Sequence, residues 1–196
     1  MAVSAPPAIK FCSHCGSDSI ALRVPDGDNL PRFVCGACGT VHYQNPKVVV
    51  GCLPEWEEQV LLCRRAIEPR YGLWTLPAGF LENGETIFAG AVRETLEEAS
   101  ARVELGSLYT MISLPQISQI YVMFRARLLD LDFGPGPESL EVRLFREDEI
   151  PWDELAFRTI GRTLRNYFLD RKQGPFPVHV STLQRRPAPP DLAGAA

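Results

Sequence analysis

Apolar positions change their spacing several times along the chain, and each change marks an element. Residues 47–53 (KVVVGCL) and 59–64 (QVLLCR) are short apolar runs on either side of a polar turn at residues 55–58, the pattern of a hairpin of core strands. Residues 73–77 read as extended and residues 78–85 (AGFLENGE) as a glycine-containing loop. Over residues 86–99 the apolar positions Ile87, Ala91, Leu96 and Ala99 allow one helix face to meet a core while the acidic positions face elsewhere. Further strands are expected over residues 103–112, 119–129 and 141–145. A second helix is expected over residues 157–170, where Leu155, Phe157, Ile160, Leu164, Tyr167 and Phe168 stand at roughly helical spacing. Strands surrounding two helices predict an α+β fold, a sandwich with a mixed sheet between helical layers.

Residues 10–44 are different. Gly16, Pro25, Asp26, Gly27, Pro31, Gly36 and Gly39 punctuate short extended pieces, and the segment is too small to fold on a hydrophobic core alone. It carries two C-x-x-C pairs, Cys12 with Cys15 and Cys35 with Cys38, spaced as two tight knuckles that each deliver two thiolates to a tetrahedral zinc. A shell of four thiolates leaves no open position, so this zinc is expected to be structural. The alternatives are two disulfides or a redox C-x-x-C, and His14 and His42 are possible substitute ligands. Cys52 and Cys63 stand alone in apolar runs and are expected to be buried strand residues. The resulting division is a mobile N-terminus at residues 1–9, a zinc ribbon at 10–44, a catalytic domain at 45–180 and a flexible Pro/Ala-rich tail at 181–196.

Composition narrows the class without naming a chemistry. The 196 residues are 45% hydrophobic and 22% charged, ordinary for a packed globular protein and enough for one catalytic domain with a small appendage. Twenty-four acidic and 20 basic residues give a net charge of -4 with no long single-sign run, which argues against a general nucleic-acid binder. No apolar stretch approaches the ~20 residues of a membrane span, and the first residues lack a basic segment followed by an apolar core. A cytoplasmic location and no membrane partner are expected.

The chemistry lies around the first helix. Glu94 and Glu98 are four residues apart and Glu94 and Glu97 three, so a helix gathers their carboxylates on one patch. Like charges so placed repel, a cost that hard cations such as Mg2+ or Mn2+ would relieve while also engaging phosphates. Taken alone, the cluster fits a solvated acidic face, with Arg93 and Glu97 as a surface pair, better than a site. The full spacing G-x5-E-x7-R-E-x-x-E-E, from Gly79 to Glu98, resembles the signature of the Nudix hydrolases. That resemblance implies an α/β/α sandwich that hydrolyses nucleoside diphosphates linked to another moiety. It implies Glu94, Glu97 and Glu98 as metal ligands, a backbone carbonyl near Gly79, and Glu85 with Arg93 bracing the loop and helix. Ser100 departs from the family, which has glycine there; serine in a left-handed helix end costs about 1 kcal/mol but touches no ligand.

A cysteine ribbon also precedes NADH pyrophosphatases, but their S-Q-P-W-P-F-P segment is absent; residues 113–121 read SLPQISQIY. The order of ribbon, Asn45-Pro46-Lys47, Arg64-Arg65, Tyr71-Gly72, box and residues 137–143 is more similar to ribbon-bearing enzymes akin to plant ADP-ribose/FAD pyrophosphatases. By that resemblance the substrate is ADP-ribose or FAD, and Glu138 and Glu141, beside a Gly/Pro-rich loop, are candidates for the general base. Arg64, Arg65, Gly79 and Phe80 are candidate substrate contacts, and Trp74, Tyr71 and Tyr121 either stack on a base or belong to the core. The competing class is a nucleic-acid or protein-binding ribbon joined to a nucleotide-sensing domain. A homodimer is expected, with the ribbon serving dimerisation or pocket shape.

Overall fold

The structure, a computed structural model, describes residues 8–184. The ends expected to be mobile fall largely outside them. The chain divides into two compact units, one ending at Pro46 and the other starting at Lys47.

In the first unit, β1 (Ile20–Arg23), β2 (Arg32–Cys35) and β3 (Val41–His42) form an antiparallel sheet in that order. Its buried apolar side chains are Cys12, Val34 and Cys35, far too few to stabilise a fold.

The second unit is built on a mixed sheet. Strands β4 (Lys47–Trp56) and β5 (Gln59–Arg65) form the expected hairpin. β6 (Trp74–Thr75) pairs with β5, and β7 (Ala78–Phe80) pairs with β4. After helix α1 (Ile87–Ala99) come β8 (Val103–Leu114), β9 (Gln119–Leu128), β10 (Ser139–Phe145), helix α2 (Arg158–Gln173) and β11 (His179–Thr182). The sheet runs β10-β5-β4-β9-β8-β11, with β4 parallel to β9 and β11 parallel to β8.

Alternation along the central strands sends neighbouring residues to opposite layers. Val50, Cys52, Val122, Phe124 and Ala126 pack with Ala91 of α1. Leu53 and Met123 pack with Ile160, Leu164, Tyr167 and Phe168 of α2. The sheet is therefore held between two helical layers, as expected from the sequence.

Three local expectations change. Residues 78–80 are a short strand and not loop, because they add to the edge of β4 at Val49, Val50 and Gly51. Leu96 does not face the core: it is 52% exposed, on a half-exposed strip of α1 with Phe88 and Val92. The helix face is turned instead by the smaller Gly90, Ala91 and Ala99, whose size lets α1 lie close to the sheet. Ser181 and Thr182, assigned to the tail from the sequence, instead pair with Ile112 and Ser113 along the free edge of β8. Cys52 and Cys63 are buried strand residues as expected, and the Cys52 thiol donates to the Ala91 carbonyl at 3.3 Å.

Candidate functional site

In the first unit the four thiols of Cys12, Cys15, Cys35 and Cys38 gather so that all sulfurs lie within 4.8 Å of one another. Each knuckle closes through a glycine in the left-handed region: Gly16 (φ +76) donates to the Cys12 carbonyl at 2.9 Å and Gly39 (φ +75) to that of Cys35 at 2.9 Å. Without glycine there, a Cβ would strain both turns. The cysteines are unbonded, with Cys12 to Cys38 at 3.7 Å and Cys15 to Cys35 at 3.6 Å. Four sulfurs at this spacing, with no fifth ligand type, fit a closed tetrahedral zinc site. Neither His14 nor His42 joins the cluster.

In the second unit, Thr86 caps α1 by accepting the Ala89 amide at 3.1 Å, which sets where the helix begins. Glu85, one residue earlier, receives Arg93 through two hydrogen bonds of 3.1 and 2.6 Å. The same guanidinium donates Nη2 to the Phe80 carbonyl at 3.2 Å, and its Nη1 bridges Glu94 at 2.7 Å and Glu97 at 3.0 Å. Arg93 thus fastens the loop to the helix and stands between two of the three carboxylates.

Glu98 points inward, 6% exposed, and accepts the Ala78 amide at 2.9 Å. Burial pushes its carboxyl up to about 8, and the neighbouring Glu94 and Glu138 add to that. Glu94 is also raised by burial, against the pull of Arg93. Glu94 has Arg93 as its counter-charge, Glu98 is offset only by the Ala78 amide and the charge of Arg65, and Gly79 presents bare backbone to Glu94: a Cβ there would lie 2.4 Å from its carboxylate. Three hard oxygen donors served by one shared guanidinium, with an open backbone beside them, fit a divalent metal. Glu94, Glu97 and Glu98 are the residues that would hold it.

The Gly/Pro-rich loop has a structural task that its sequence does not disclose. Ser100 ends α1 in the left-handed conformation (φ 49). Beyond it Gly134 donates to the Ala99 carbonyl at 2.9 Å and Gly136 to that of Glu98 at 3.1 Å, so the loop caps the helix end. The Glu138 carbonyl then accepts the Ala66 amide at 2.8 Å. This brings Glu138 near enough to Glu94 and Glu98 to raise both. A Cβ on Gly136 would sit 1.7 Å from the Glu97 carbonyl, whereas one on Gly134 meets nothing within 4 Å. Gly136→Ala is expected to cost about 1–3 kcal/mol in urea unfolding, and Gly134→Ala to change stability by less than about 0.5 kcal/mol. Equal stabilities for the two variants would show that the clasp does not form.

A cavity of about 1040 Å3 opens beside these groups, lined by Gly79, Phe80, Arg93, Glu94, Glu97, Glu98 and Glu138 among others. Arg65 also lines it, 8% exposed, with its Nε donating to the Pro69 carbonyl at 3.0 Å. Arg64 does not. Adjacent strand residues face opposite sides, and Arg64 donates to the Gly72 carbonyl at 2.9 Å and lies 3.9 Å from Glu141. Glu141 is thereby held with Arg64 and away from the cavity. Of the aromatic candidates, Phe80 (49% exposed) and Tyr121 (8%) line the cavity, while Trp74 is core and packs edge-on against Phe145. Tyr71 is exposed and outside the lining. Arg70, Leu114, Arg158, Thr159 and Leu183 also line it. None of these carried a signal along the chain, because the loop after β5, the end of β8, the start of α2 and the residue after β11 meet at the cavity only through folding.

A family model described as Nudix N-terminal matches residues 10–44, and the NUDIX domain model matches residues 45–166. The chain is 60% identical to a NUDIX hydrolase from Nitrosomonas europaea whose crystal structure superimposes with a TM-score of 0.87, covering 90% of this chain and 100% of that one. It is 27% identical over 183 residues to an NAD-capped RNA hydrolase of Schizosaccharomyces pombe, covering 86% of this chain and 45% of that protein. It is 30% identical over 119 residues to an ADP-ribose pyrophosphatase of Methanocaldococcus jannaschii, covering 59% of this chain and 69% of that protein. The chain thus spans less than half the length of the first of these two curated relatives.

Proposed function

Because the chain belongs to the Nudix hydrolases and carries the family's ribbon-type N-terminal region, we propose that it cleaves the diphosphate linkage of a nucleoside diphosphate derivative, with ADP-ribose or FAD as its substrate. The observation that carries this reading is the gathering of Glu94, Glu98 and Glu138 around one cavity that also receives Arg65. A bound Mg2+ or Mn2+ would neutralise the phosphoryl oxygens and acidify a water. Glu94, Glu97 and Glu98 would hold that ion, and Arg93, bonded to both Glu94 and Glu97, restrains those two side chains. Glu138, whose charge reaches both Glu94 and Glu98, takes the proton of the attacking water as the water oxygen bonds to phosphorus and the bridging phosphorus–oxygen bond breaks. Two phosphomonoesters leave. Arg65, fixed by the Pro69 carbonyl, offers its remaining donors to a non-bridging oxygen. The exposed ring of Phe80 at the cavity, with the Lys47 ammonium 5.0 Å from its centroid on one side, offers a face to a base.

A second reading is an NAD-type dinucleotide substrate, favoured by the similarity to the NAD-capped RNA hydrolase. A screen of ADP-ribose, FAD and NADH with each metal, products identified by mass, distinguishes the two. AMP with ribose 5-phosphate or FMN is the expected outcome, and AMP with the reduced nicotinamide mononucleotide supports the second reading. No product from any diphosphate in either metal rules out both.

A further inference from the structure

Helix α2 begins at the same cavity without a cap. Its N-cap residue is Phe157, which has no side-chain acceptor, and the first amide bonded within the helix is that of Gly161, to the Phe157 carbonyl at 3.2 Å. The amides of Arg158, Thr159 and Ile160 therefore have no acceptor among the described residues. Thr159 supplies an independent sign. It lines the cavity, is 2% exposed, and its Oγ1 is buried with no hydrogen-bond partner among the described residues. A buried hydroxyl without a partner is rare in folded proteins.

Cations frame this wall. Arg158, at the first helical position, spends Nη1 on the Gln184 carbonyl at 2.7 Å and keeps its other donors. The Arg65 guanidinium lies 5.2 Å from the Phe157 ring centroid. Unpaired amides at the positive end of a sixteen-residue helix, an unused hydroxyl and the remaining donors of two guanidinium groups, each of which spends one nitrogen on a carbonyl, amount to a surplus of donors. A neutral base edge would satisfy some donors and leave the charge unanswered, whereas an oxyanion satisfies both.

We infer that the start of α2, with Thr159 and Arg158, is a subsite for a phosphoryl oxyanion of the ligand, distinct from the carboxylates of α1. The inference rests on the proposed hydrolysis only in calling that ligand a substrate. The oxyanion has two possible sources: the phosphate of the scissile diphosphate farther from the attacked phosphorus, or an additional phosphomonoester on the sugar.

Thr159→Val tests it, because valine keeps the shape and the lost hydroxyl has no partner, so the variant is expected to fold at least as well as the parent. Inorganic phosphate is titrated calorimetrically into the full chain, with its zinc retained and in buffer free of Mg2+ and Mn2+, where the α1 carboxylates repel the probe. Saturable binding that Thr159→Val weakens about tenfold, with Arg158→Gln weakening it as well, is the expected result. Absent binding, or equal affinity in parent and Thr159→Val, overturns the subsite. With Mg2+ present, a raised KM for ADP-ribose and its 2'-phosphorylated form alike assigns the oxyanion to the diphosphate. A raised KM for the phosphorylated form alone assigns it to the added phosphomonoester. Parent protein that binds phosphate but hydrolyses no diphosphate refutes the proposed function and leaves the subsite standing.

Discussion

Glu97→Gln is expected to lower kcat on a dinucleotide diphosphate by roughly a hundredfold or more while leaving the fold intact. The reason lies in where Glu97 stands. Its side chain is 58% exposed, and its one partner is Arg93 Nη1, which also holds Glu94 and, through the rest of the guanidinium, Glu85. Losing one exposed ion pair costs about 0–1 kcal/mol of stability. Losing a carboxylate that holds a catalytic cation removes transition-state stabilisation on the order of 3 kcal/mol, which is the hundredfold effect. Turnover at saturating Mg2+ and a thermal melt on the same sample separate the two. Undiminished turnover would remove Glu97 from the site. Glu98 is a poorer test, because it is buried and accepts the Ala78 amide, so its replacement perturbs β7 together with the chemistry.

Removing zinc is expected to unfold residues 10–44 and spare the second unit. The ribbon's strands are four, four and two residues long, and its buried apolar side chains include two of the cysteines themselves. A sheet of that size has no core of its own, so metal binding, worth about 10–16 kcal/mol in small zinc modules, is its folding energy. After chelation, or in Cys35→Ser, hydrogen exchange at Phe33 and Val34 should become fast while Leu61 and Met123 in the larger sheet stay protected. Retained protection at Phe33 and Val34 in protein proven free of zinc would mean that something else holds the ribbon.

Legibility differed from residue to residue for physical reasons. The three carboxylates of α1 were readable because helical period brings positions 94, 97 and 98 near one another and the spacing from Gly79 to Glu98 resembles the Nudix signature. The four-thiol cluster was readable for a similar reason, since each C-x-x-C pair is a local knuckle, closed in the structure by Gly16 and Gly39 at positive φ. Arg64 and Arg65 were not separable from their adjacency, because the face each occupies depends on which side of β5 meets the cavity. Glu138 and Glu141 were likewise equivalent as a pair until the loop clasp on α1 carried one to the carboxylates and pairing of β10 with β5 carried the other to Arg64. Leu96 was misplaced because periodicity marks apolar positions but does not say how closely a helix of small residues seats on its sheet.

What the amino-acid order determined by itself was what is local in geometry: the four-thiol ribbon, the strand periods and the layered class they imply, with the braced loop and helix legible through the resemblance to the Nudix signature. What only the tertiary structure decided was which distant segments meet: β11 extending the sheet, the Gly134 to Gly136 clasp on the end of α1, and the uncapped start of α2 with its unpaired Thr159 at the cavity wall. Local geometry follows from backbone dihedrals over a few residues, whereas these meetings depend on packing between elements tens of residues apart, where no period along the chain records the partner.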